Sequence, residues 1–289
     1  MNALNLDHIG IAVHHLDAAE REFARLGFTL TPRGYHTLPP PSPEAERPRA
    51  GTSNNCAMLE RGYIELIGVT DPGYSGRLRS ALAHYEGLHI VAFGTSDTAA
   101  TIDALKQAGV PSHLRPLERP IDLGAESGDD GRSGLARFDI VDYGDDILPE
   151  LYSFAIRHMT PELLWQPQLL AHANGAKSLE AITVAVADRE EFAARLGRVV
   201  GARAAGDDAL TIQLEPGEVR IVDEDWVARH SPGVRSPLPF VAGMTLGTAD
   251  LGVAASLLSK NGVEMDTRGG SIIVPAAAAC GAFIEFVAA

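Results

Sequence analysis

Four times along the chain, a run of alternating apolar residues leads to an aspartate, an amphipathic stretch and a glycine. This recurrence constrains the fold more than any other feature. The first copy is residues 6–13, then Asp17, with Leu16, Ala19, Phe23 and Leu26 at helical spacing, then Gly27. The second has residues 87–94, Asp97, Ile102, Leu105 and Gly109, and the third residues 179–186, Asp188, Phe192, Leu196 and Gly197. The fourth has residues 240–247, Asp250, Leu257, Leu258 and Gly262. Each aspartate is expected to cap a helix start and each glycine to end the helix. After each helix there is chain for about three short strands. The predicted unit is therefore βαβββ. Residues 281–288 repeat the form of residues 62–69, with Glu285 where Glu65 stands. Four units make an α+β chain of two halves, residues 1–175 and 176–289, joined through residues 159–177. The Pro-rich and polar stretches 38–50 and 117–134 read as loops.

A chain of 289 residues is long enough for two apolar cores. Its two cysteines, Cys56 and Cys280, provide neither a disulfide framework nor a cysteine metal cluster, and this usage suits the cytoplasm. A net charge of −14 opposes nucleic-acid binding, which depends on cationic side chains displacing counterions. The apolar stretch 271–289 is interrupted by Pro275, Gly281 and Glu285, so it reads as two buried strands rather than a membrane span.

A period of two in residues 6–13 puts Ile9, Ile11 and Val13 on the face that the helix covers, and His8, Gly10 and Ala12 on the other. His89 holds the position of His8 in the second copy, and Glu65 lies on the last strand of the first. A strand interior tolerates imidazole and carboxylate poorly unless something pairs with them. A divalent cation satisfies all three. In the third and fourth copies these places hold Ala181 and Ala242, so the C-terminal half lacks such a set and leaves Glu285 without companions.

Four βαβββ units with histidines on first strands and a glutamate on a last strand resemble the vicinal oxygen chelate superfamily, which includes glyoxalase I, methylmalonyl-CoA epimerase, extradiol dioxygenases and bleomycin-resistance proteins. Residues 6–13, 62–69, 87–97 and the stretch 157–176 are most similar to its glyoxalase-like domain family. The resemblance implies two half-barrel cups, with a metal held by residues on the first and last strands of one cup. His8, Glu65 and His89 match three ligand positions. The fourth falls on Glu150 or His158: spacing favours Glu150, although Pro149 and residues 144–146 suggest a turn there, whereas turn ends put Phe154 opposite Glu65. His158 shares strand parity with Phe154. Glu150 and His158 are roughly 26 Å apart in an extended strand at about 3.3 Å per residue, so only one can bind.

The chemistry implied is Lewis-acid isomerase or lyase catalysis on a small molecule chelated through adjacent oxygens, with Zn, Mn, Ni, Co or Fe as the metal and Glu65 as ligand or base. An Fe(II) extradiol dioxygenase is the alternative enzyme, although its metal would be expected in the C-terminal half. A metal-free binding protein is the third reading. No basic motif supports a glutathione or coenzyme A substrate, and a cup completed within one chain does not require a dimer.

Overall fold

The computed structural model describes residues 4–42, 45–122, 133–231, 233–234 and 236–289. The N-terminal half runs β1 (Asn5–Val13), α1 (Leu16–Arg25), β2 (Gly34–Thr37), β3 (Arg49–Met58), β4 (Tyr63–Val69), α2 (Arg77–Leu82), β5 (Gly87–Gly94), α3 (Thr98–Gln107), β6 (His113–Asp122), β7 (Ser133–Asp142) and β8 (Tyr152–His158). The C-terminal half runs β9 (Ala176–Ala185), α4 (Arg189–Val200), β10 (Ala204–Ala205), β11 (Leu210–Gln213), β12 (Glu218–Val222), α5 (Glu224–His230), β13 (Phe240–Thr248), α6 (Leu251–Lys260), β14 (Asp266–Arg268), β15 (Ser271–Val274) and β16 (Phe283–Ala288). The fold is α+β and rich in sheet.

In the N-terminal half β1 pairs in parallel with β4, and β5 with β8, while β1 and β5 run antiparallel between them. The C-terminal half repeats this with β9 beside β12 and β13 beside β16, β9 and β13 being antiparallel. The halves meet edge to edge where Val241 of β13 pairs with Leu88 of β5. One apolar cluster runs through both halves. It contains Ile9, Ile11 and Val13 of β1 under Leu16, Ala19 and Phe23 of α1, as the alternation predicts, and continues to Phe192 and Phe286. No helix among the described residues is long and apolar enough to cross a membrane.

Local signals hold with informative exceptions. Asp97, Asp188 and Asp250 each accept from a backbone N–H in the first turn of the following helix. Asp17 does not cap: α1 starts one residue earlier behind His15, and Asp17 pairs instead with Arg33. Gly197 lies inside α4, which ends at Gly201 with φ +73°. Of the stretch expected as a loop over 117–134, residues 117–122 and 133–134 belong to β6 and β7, which pair in register from His113↔Asp142 to Asp122↔Ser133, and the remainder lies outside the described residues. Pro116 and Pro120 are accommodated because β6 pairs only with β7, and an edge strand needs fewer ladder donors. Gly175 takes a left-handed backbone with φ +71°, and the buried amide of Asn174 beside it donates to the Leu26 carbonyl and accepts from Ala176 N–H.

Phe23 is fully buried, with its ring 5.3 Å from that of Phe28. Phe23→Ala should lower unfolding free energy by about 3–5 kcal/mol, as read from urea denaturation, because α1 cannot collapse into the space left.

Candidate functional site

The concave face of the N-terminal sheet encloses a cavity of about 980 Å³. Its walls include His8, Glu65, His89 and Glu150, four of the five residues singled out from the sequence, but not His158. The ladder between β1 and β5 explains how these side chains are aimed. Leu6 pairs with Phe93 and His8 with Ala92, which leaves Asp7 as an extra residue in β1; Gly10 pairs with Ile90 and Ile11 with Leu88, which leaves His89 as an extra residue in β5. Such bulges re-aim side chains locally.

At the first bulge the Asp7 carboxylate lies 2.6 Å from His8 Nδ1, and 3.0 and 3.1 Å from His158 Nε2. Burial would raise the Asp7 pKa, but contacts with His158 and His8 outweigh it and hold the carboxyl far below the usual range. An ionised carboxylate only accepts, so both facing ring nitrogens carry hydrogen. His8, 4% exposed and stacked on Tyr63 at 4.2 Å, thereby keeps Nε2 for the cavity. His158 Nδ1 is buried without a partner. Among the described residues, ligand atoms of Asp7, His8 and His158 lie within 4.8 Å of one another, the spacing at which one cation can be shared. Gly62, with φ +82°, allows β4 to start here, since a Cβ on it would stand 2.7 Å from the Asp7 carbonyl oxygen.

Glu65 accepts from Asn54 Nδ2 at 2.6 Å and lies 3.6 Å from His36 Nε2. Burial pushes its pKa up, but His36, the charge of His8 and the Asn54 hydrogen bond bring it down to about 2. His89 stacks on Tyr85 at 3.9 Å and its Nε2 donates to the Tyr85 carbonyl at 2.9 Å. Burial lowers its pKa and so favours the neutral imidazole, in which a donating Nε2 leaves Nδ1 unprotonated. Glu150 precedes β8 and is held by Arg195, with Nη1 at 2.9 Å. Trp165 donates to the Leu59 carbonyl at 3.0 Å and packs edge-on to His158.

The structure thus unites His8 and His158 through Asp7, puts Glu65 and His89 on the same cavity, and gives Glu150 to an ion pair. Sequence alternation missed Asp7, because a regular strand would point it away from His8. It also missed His36, Asn54 and Arg119, which reach the cavity from β2, β3 and β6. In the C-terminal half Glu285 is not without companions: Arg220 Nη1 lies 2.9 Å from it and Thr245 Oγ1 also 2.9 Å.

The family description "glyoxalase-like domain" matches residues 6–200. The chain belongs to the glyoxalase-like domain family, within the vicinal oxygen chelate superfamily. No curated protein matches the sequence. Similar solved structures include a hypothetical protein from Staphylococcus aureus, with 15% identity, TM-score 0.65, and 99% of this chain aligned to 100% of that one. A mutant of 4-hydroxymandelate synthase from Streptomyces coelicolor aligns at 12% identity and TM-score 0.55, covering 99% of this chain and 92% of the synthase. A xylose isomerase-like TIM barrel/4-hydroxyphenylpyruvate dioxygenase fusion protein aligns at 11% identity and TM-score 0.55 over 99% of this chain and 49% of the fusion. At these identities the likeness is one of fold.

The depressed Glu65 pKa is a stability statement: a carboxylate held down in the folded state stabilises it above the ordinary value of 4.5, and the contribution disappears as pH falls toward about 2. Glu65→Gln should therefore flatten the loss of stability between pH 4.5 and 2.5, read from urea midpoints at stepped pH.

Proposed function

We propose that the protein is a glyoxalase-like enzyme of the isomerase or lyase type, which moves a proton on a small oxygenated molecule bound in the N-terminal cup. The observation that carries this reading is His8, fixed by Asp7 at one nitrogen and open to the cavity at the other, beside the ionised Glu65. A carboxylate behind an imidazole sets its tautomer and raises its basicity, whether that imidazole takes a proton or a metal. We further propose that the cup-bearing half, residues 1–175, and residues 176–289 act as two domains, and that the protein is cytoplasmic.

The donor chemistry fits a divalent cation. His8 and His89 each have one ring nitrogen held by an oxygen acceptor, the outer-shell pattern of metal-binding histidines, and Glu65 is ionised. His8, Glu65 and His89 line the same cavity and would have to close on an ion to hold it, since among the described residues only the ligand atoms of Asp7, His8 and His158 already lie within 4.8 Å of one another; Asp7 and His158 support His8 from behind. A cation bound there acts as a Lewis acid on adjacent substrate oxygens. Released from the ion, Glu65 would accept the substrate proton, with its carboxylate oriented by Asn54 and His36 beside it. The apolar walls at Phe138, Phe154 and Leu164 keep water from the reacting carbon.

Elemental analysis of tag-free protein tests this. One divalent ion per chain is expected, lost in His8→Ala, Glu65→Gln and His89→Ala and retained in His158→Ala. Loss in His158→Ala with retention in His89→Ala would move the ion to Asp7, His8 and His158; were that ion iron, the two-imidazole, one-carboxylate donor set would favour the dioxygenase. No ion retained after addition of Zn, Mn, Co, Ni or Fe would leave a metal-free binding protein.

A further inference from the structure

Arg119 of β6 lines the cavity as a cation without a counter-ion among the described residues. Its Nη1 donates to the Thr37 carbonyl at 3.0 Å, and among the described residues no carboxylate forms an ion pair with it. The other two arginines on this wall are neutralised within the protein, Arg115 by Asp142 and Arg77 by Asp145. Glu118, the adjacent carboxylate in sequence, is taken by Arg47 and Arg137. Burial disfavours the charged form of Arg119, and the field of Glu65 opposes that. A guanidinium nevertheless stays charged, so half-buried Arg119 is partly desolvated and keeps donors to spare. An unpaired desolvated charge is unfavourable, and an entering anion relieves it.

We propose that the N-terminal cup takes a monocarboxylic acid with an apolar body, its carboxylate docked on Arg119 and its body against Leu117, Phe138, Ile140 and Ile156. The planar guanidinium fork matches a carboxylate in two parallel hydrogen bonds. A phosphate monoester fits less well, because its second negative charge would share the cavity with ionised Glu65 and meet only one unpaired cation. The apolar side chains around Arg119 suit a hydrocarbon or aromatic body, and a cavity of about 980 Å³ admits one of drug-like size. This inference rests on the cup being the small-molecule site of the proposed function, but not on the metal.

Isothermal titration with 4-phenylbutanoate, its uncharged amide and phenyl phosphate tests the assignment on wild type, Arg119→Gln, Arg119→Lys and His8→Ala. Wild type should bind the acid at least about tenfold more tightly than the amide, the size of one charge-assisted contact. Arg119→Gln should abolish that preference while leaving amide affinity unchanged, and Arg119→Lys, which keeps the charge without the fork, should retain part of it. Preference that survives in His8→Ala supports Arg119 even if the metal reading fails. Preference lost in His8→Ala and kept in Arg119→Gln would put the carboxylate on the metal and overturn the assignment. Equal binding of acid and amide, tighter binding of phenyl phosphate, or no measurable binding of the acid would overturn it as well.

Discussion

The site depends on how two antiparallel strands absorb one extra residue each. A ladder of period two aims alternate side chains at opposite faces, so a regular β1 would send Asp7 and His8 apart. The surplus residue at Asp7 lets carboxylate and imidazole meet at 2.6 Å, and the same carboxylate then reaches the end of β8 to hold His158. The surplus at His89 has the complementary effect: Leu88 returns to the helix-covered core and Ile90 and Ala92 to the cup. His89 stands between them, stacked on Tyr85. Two local register shifts thus set which nitrogen atoms have fixed partners and which remain for a ligand.

The C-terminal half shows what the same scaffold does with different residues. In the β9 and β13 ladder Lys177, Glu180 and Ala242 are unpaired, and the last two match Asp7 and His89. Ala181 follows Glu180 as His8 follows Asp7, so the carboxylate there has no neighbouring imidazole to support, and it pairs with Arg61 and Ser178 instead. Over this cup α5 lays Trp226 and Val227, which pack with Phe240, Ile273 and Phe283. Apolar burial replaces polar chemistry on the same curved sheet.

Much of this was legible in the sequence. Apolar alternation located the first strand of every unit, and the recurrent aspartates gave three of four helix starts. The exception, Asp17, fails because α1 already starts at Leu16 behind His15, which places Asp17 inside the first turn. His8 and Glu65 were found because polar side chains at inward strand positions stand out against their neighbours. Asp7 was not, because a bulge is a property of two paired strands and leaves no mark in either one. His36, Asn54 and Arg119 were missed for a related reason: which face of an outer strand lines a cup is decided by its register with β3, β4 or β7, and Pro116 and Pro120 disguised β6 as a loop. Glu150 followed spacing correctly to the cavity, but the Arg195 that engages it comes from α4, in the other half.

Register also relates the charges of the two cups. Glu65 pairs with Gly10, two residues beyond His8, and Arg220 pairs with Thr183, two residues beyond Ala181, so one scaffold position carries a carboxylate in the first half and a guanidinium in the second. Where Phe154 stands opposite Ala92, Glu285 stands opposite Thr245. In the C-terminal cup Arg220 and Glu285 therefore face each other and cancel within the protein. In the N-terminal cup the apolar Phe154 removes that partner. Among the described residues Glu65 is held by the Asn54 amide and the His36 imidazole, and the cationic charge sits instead on Arg119 of another strand. Charges that a sheet does not cancel internally remain available to whatever enters the cup.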